Sequence, residues 1–177
     1  MTPRRLAVWC SLLLVTALDA VAQAPLVTPQ SPEVPLAPVA WLVGGTWSSD
    51  VKDPADGSVT HVENRISWAP NHAAIQFLTN FNGKPHYNGL YAYDAQKGAI
   101  RFYYTSDNGQ LSIGTATPDL DGKTLRQEFD TTQPNGAISH IRSTIVRDGN
   151  NAYLFTVFLE ENGVWKQLFQ ITYKRRA

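Results

Sequence analysis

The sequence predicts an all-β protein, a single up-and-down antiparallel β-barrel of about ten strands with a short N-terminal helical turn. Three observations predict it. Glycine-containing turns recur at regular intervals along residues 38–177, β-branched and aromatic runs fill the intervals, and no interval carries the period of a long amphipathic helix.

The turns are Asp56-Gly57, Asn82-Gly83, Lys97-Gly98, Asn108-Gly109, Asp121-Gly122, Asn135-Gly136, Asp148-Gly149 and Asn162-Gly163. Each places glycine where a tight hairpin needs positive φ, mostly behind Asn or Asp. Eight such signals imply at least nine strands, and Ala69-Pro70-Asn71 adds a ninth turn. Between them, Ile100 to Thr105, Tyr153 to Phe158 and Leu168 to Tyr173 are strand-like in composition. Sequential hairpins without a long crossover favour a meander, and closing it removes the edges of an open ten-stranded sheet. Ahead of the first strand, Leu36 to Leu42 has room for one helical turn.

Two segments precede this domain. Arg4 and Arg5 stand before the apolar run Leu6 to Leu18, and Ala22-Gln23-Ala24 supplies a cleavage site, so residues 1–24 read as a signal peptide. The apolar run is shorter than the roughly 20 residues that span a bilayer. Residues 25–37 form a proline-rich extended tether, with prolines at 25, 29, 32 and 35 and another at 38. The expected location is the periplasm or the medium of a bacterium, a reading helped by the lack of any N-x-S/T sequon.

Cys10, the only cysteine, falls in the leader, so the mature domain is expected to lack disulfides and thiolate metal ligands. Without the leader, 13 basic and 14 acidic residues remain. That balance gives no footprint for nucleic acid, and no stable membrane insertion is expected once the leader is gone.

The first strand opens on Trp41-Leu42-Val43-Gly44-Gly45-Thr46-Trp47. Gly45-x-Trp47 resembles the G-x-W signature that opens the barrel in lipocalins and other calycins. The resemblance implies that Trp47 plugs the closed end and that an arginine of the last strand, here Arg175, covers the indole. More specifically, the chain is similar over residues 38–176 to exported bacterial barrels of the DUF1579 type. That likeness is carried by Leu42 to Trp47, the aromatic strands between Tyr87 and Tyr104, Arg142-Ser143-Thr144, and the Tyr173-x-Arg175 ending. Haem-binding nitrobindin-like barrels are a more distant relative by shape. Their axial histidine motif has no counterpart here, and no cofactor is expected.

Motifs for common reactions are missing: there is no G-x-S-x-G, H-E-x-x-H, P-loop or dinucleotide fingerprint. Asp53 to Gly57 and Asp119 to Gly122 have glycine at the wrong place for calcium loops and read as hairpin turns. His61, Glu63 and Arg65 share one face of the second strand, read as the solvated face because Val62, Ile66 and Trp68 lie opposite. The four histidines show no close spacing that suggests a metal site. His140 and Arg142 share a face with Ile138, Thr144 and Val146, and the apolar ends of that face favour an inward Arg142.

A ten-stranded barrel is wider than the eight-stranded kind that already holds one small ligand. The expected ligand-binding residues are Tyr91, Phe102, Tyr104, His140, Arg142, Trp165 and Gln167, and the expected partner is a small apolar or aromatic molecule. A carboxylate or phenolic group on it would reach Arg142. Gly45, Trp47 and Arg175 are expected to close the barrel. Two alternatives stand beside this: a pocket enzyme of isomerase or hydrolase type with His140 as general base, and an envelope interaction domain acting through its outer wall.

Overall fold

A computed structural model describes residues 34–176; the leader and most of the tether lie outside the described residues. Ten antiparallel strands follow one another: β1 (Thr46–Lys52), β2 (Val59–Trp68), β3 (Ala74–Phe81), β4 (Lys84–Asp94) and β5 (Ala99–Ser106), then β6 (Leu111–Pro118), β7 (Thr124–Thr132), β8 (Ile138–Asp148), β9 (Ala152–Glu161) and β10 (Val164–Arg176). Each pairs with its neighbours in sequence, and β1 pairs with β10, so the sheet closes into an up-and-down barrel.

The turn chemistry explains the meander. All eight hairpin glycines, from Gly57 to Gly163, have positive φ, and at the Ala69-Pro70-Asn71 turn the residue with positive φ is His72. Strand alternation then sorts the side chains. In β7, Leu125, Gln127, Phe129 and Thr131 are buried, while Arg126, Glu128, Asp130 and Thr132 between them are exposed.

A 3-10 helix, Val34–Leu42, covers one end of the barrel. Three residues per turn put Leu36, Val39 and Leu42 in one line, and all three are buried. The helix is longer than the single turn expected from Leu36. Since Leu36 is fully buried, the packed domain begins ahead of Pro38, inside the segment read as tether.

Beneath that helix sits the plug. Trp47 is fully buried and its indole Nε1 donates to the Leu42 carbonyl at 2.8 Å. The Arg175 guanidinium lies over the Trp47 ring, 4.3 Å from its centroid, and donates through Nη2 to the Trp41 carbonyl at 2.8 Å. Gly45, at φ 74°, lets the chain pass here: a Cβ on it would come within 3.2 Å of the Arg176 carbonyl oxygen.

Two strand glycines draw the wall together. A Cβ on Gly114 would lie 2.3 Å from both the Glu128 carbonyl oxygen and Phe129 Cβ. One on Gly89 would lie 2.3 Å from the Tyr103 carbonyl oxygen and 2.6 Å from Phe77 Cζ. Only glycine fits at either place, and large rings cross the strand in the space it leaves.

Candidate functional site

The interior is not filled. Above the plug the barrel encloses a cavity of about 660 Å³, within the usual range of small-molecule sites. At the far end Leu168 and Phe169 line it while remaining half exposed, which marks the mouth. There the side chains of Gln110 and Gln133 join across two hairpins, Nε2 donating to Oε1 at 2.6 Å.

One wall is aromatic. Phe77, Tyr91, Phe102, Tyr104 and Phe129 form a connected set of rings, with Phe102 to Phe129 at 5.1 Å and Phe77 to Tyr91 at 5.5 Å between centroids. Gly89 and Gly114 make this set possible, because bulkier residues would stand where its rings lie. Much of the remaining lining is aliphatic, including Val62, Ile66, Ile141, Val157 and Ile171.

The polar groups of the lining are all uncharged. Tyr91 Oη accepts from Gln127 Nε2 at 2.8 Å, and Gln127 Oε1 in turn accepts from Ser143 Oγ. Tyr153 Oη accepts from Asn64 Nδ2 at 3.4 Å, and Asn64 Oδ1 accepts from Thr79 at 3.3 Å. Beside Tyr104 the Ser112 and Thr131 hydroxyls bond to one another at 2.7 Å. Burial is the main cause that raises the phenol pKa of Tyr87, Tyr91, Tyr104, Tyr153 and Tyr173 above the ordinary value of 10.0. All five phenols therefore keep their protons at neutral pH.

Of the seven residues expected to bind a ligand, Tyr91, Phe102 and Tyr104 line this cavity together. The other four stand outside it. On β8 the inward residues are Ser139, Ile141, Ser143 and Ile145, so His140 and Arg142 belong to the outer wall. The inward placement expected for Arg142 is thereby corrected: Ile138, whose apolar character suggested it, is an exposed rim residue.

Outside, His140 Nδ1 lies 2.6 Å from Asp130 Oδ1, and Arg142 donates to Glu128 at 3.0 Å. Trp165 lies under the Arg142 guanidinium, 4.1 Å from it, and so joins the outer wall as well. Gln167 is exposed, opposite the outward Phe158, because the register of β10 shifts between Gln167 and Phe169. The bulge turns Phe169 inward but leaves Trp165 and Gln167 outside. His61 bonds to Asp50 on the outer wall, as its strand parity predicts.

The sequence reading missed Tyr87, Gln127, Tyr153 and Tyr173 as lining residues, and the two glycines that shape the aromatic wall. Strand parity was available for the tyrosines. A scan against protein-family models finds no match for the chain, and a search of curated proteins finds none.

Proposed function

We propose that this chain is an exported binding protein whose barrel holds one neutral, mainly apolar small molecule. The observation that carries this reading is the cavity lining, in which no Asp, Glu, Lys, Arg or His takes part. A ligand charge of either sign would lose its water there and find no counter-charge, which is strongly unfavourable. An apolar body gains instead by covering the aromatic and aliphatic walls.

Export is supported by the Arg4-Arg5, Leu6 to Leu18 and Ala22-Gln23-Ala24 pattern, and kinship with DUF1579-type barrels by the Gly45-x-Trp47 opening and the Arg175 ending. The outer wall fits a soluble barrel: the pairs Asp130 with His140 and Glu128 with Arg142 stand where a membrane barrel carries an apolar band. The enzyme alternative loses its basis, since His140 faces away from the cavity. The interaction-domain reading required a barrel without one.

The test is titration of the purified mature domain with two fluorescent probes of similar size, neutral N-phenylnaphthylamine and anionic anilinonaphthalene sulfonate. The neutral probe is expected to bind saturably at one site, at least about tenfold more tightly than the sulfonate. Absence of saturable binding, or equal affinity for the anion, defeats the proposal.

A further inference from the structure

The hydrogen-bonding capacity of the lining is unevenly spent. Deep in the barrel the polar groups serve one another, Tyr91 with Gln127, and Asn64 with Tyr153 and Thr79. At the mouth they do not. Gln110 and Gln133 line the cavity there and share a single bond, Gln110 Nε2 donating to Gln133 Oε1 at 2.6 Å.

That bond uses the nitrogen of one amide and the oxygen of the other, so Gln110 Oε1 and Gln133 Nε2 are left over. Turning both amides round exchanges the roles and leaves the same complement, one acceptor and one donor. Neither leftover atom is among the buried groups without a partner, so both are open to solvent at the mouth.

The two side chains are set in place by their turns. Gln110 N donates to Ser106 Oγ at 3.1 Å, and Gln133 N donates to the Ala137 carbonyl at 2.8 Å. The surroundings carry no free charge for a ligand to meet. Asp107, the one charged residue between Ser106 and Gln110, is paired with His86 at 2.7 Å, and Gln133 to Ala137 holds no charged residue.

We infer that the ligand is an amphiphile with an uncharged hydroxyl-bearing head, a long-chain alcohol or a glyceride, held at the mouth by Gln110 and Gln133 while its chain runs towards the plug. This rests on the binding reading above. A hydroxyl donates and accepts at once, so it can donate to the open oxygen of one amide and accept from the open nitrogen of the other. An ether or ester oxygen only accepts. A wholly apolar guest covering the mouth would strip both amides of water and replace nothing, which is unfavourable.

The experiment displaces N-phenylnaphthylamine with 1-decanol from the mature domain and from Gln110→Met, Gln133→Met and the double variant. Methionine keeps the length and flexibility of the side chain and deletes the amide. Direct titration of each variant gives the affinity of the probe itself.

Decanol should displace the probe fully from the unaltered domain. Each single change is expected to weaken decanol about fivefold, and the double change more, while probe affinity holds or rises. Decanol affinity unchanged or raised in the double variant, with the probe still bound, overturns the inference alone. So does a failure of decanol to displace the probe from the unaltered domain. Parallel loss of decanol and probe also overturns it, by assigning the two amides to the architecture of the mouth. If the probe does not bind the unaltered domain, the binding reading itself falls.

Discussion

The Arg175 guanidinium lies 4.3 Å above the Trp47 ring centroid and bonds to the Trp41 carbonyl, joining the last strand, the first strand and the 3-10 helix at one point. The cation-π contact contributes about 0.5 to 2 kcal/mol, and a charged donor to a backbone carbonyl about 1.5 to 3. Arg175→Ala should therefore lower stability by about 3 kcal/mol in urea denaturation. Arg175→Lys should recover only part, because lysine lacks the planar fork that covers the indole while donating sideways. A lysine variant of full stability would contradict this account.

The strand glycines should be far less replaceable than the turn glycines. Gly114→Ala forces a Cβ to within 2.3 Å of backbone that cannot move aside, at an expected cost of about 3 kcal/mol or more. Gly83→Ala has open space around it and suffers only its positive φ of 76°, about 1 kcal/mol. Thermal unfolding of the two variants side by side measures the difference. Equal losses would show that the aromatic wall does not depend on Gly114.

Removing outer-wall groups should leave the cavity untouched. His140→Ala and Arg142→Ala act on exposed pairs, so each should change stability by about 1 kcal/mol or less. Neutral-probe affinity should be unchanged in both. A marked loss of probe binding in Arg142→Ala would mean that the ligand contacts the outside of the barrel.

Two pH responses separate in the same way. Since the cavity phenols are raised above 10.0 and nothing else in the lining titrates, neutral-probe affinity should be flat from about pH 5 to about pH 9. His61 behaves differently. Its hydrogen bond to Asp50 raises the imidazole pKa above 6.5. The stability it adds is fully present below the unfolded value and is lost as pH rises through the folded one. An NMR titration of His61 should therefore have its midpoint above 6.5, and Asp50→Asn should move that midpoint down. No movement would assign the shift to another neighbour.

Much of the barrel was legible because its turns are written locally. Asn-Gly and Asp-Gly state where the chain reverses, and reversal ten strands long leaves little choice but a meander. The plug was legible for the same reason, as Gly45 and Trp47 stand two residues apart. The ligand-facing residues were harder to read. Ile138 made one face of β8 look apolar although it lies at the rim, while the true inner face mixes Ser139 and Ser143 with Ile141 and Ile145. On β10 the bulge at Gln167 breaks the period of two, so Trp165 and Phe169 part company despite even spacing. Such a shift is set by how β10 lies against β9, a long-range matter that no short window of residues records.

The join between the first and last strands is short: β1 matches β10 through Thr46, Trp47 and Ser48 only, whereas it matches β2 along all seven of its residues. Beyond Ser48 those two strands part, leaving the cylinder laced at its base and unlaced above. With three matched pairs this is the shortest of the ten ladders, so the closure of the whole cylinder depends on the few residues that also carry the plug, Trp47 and its partner Arg175.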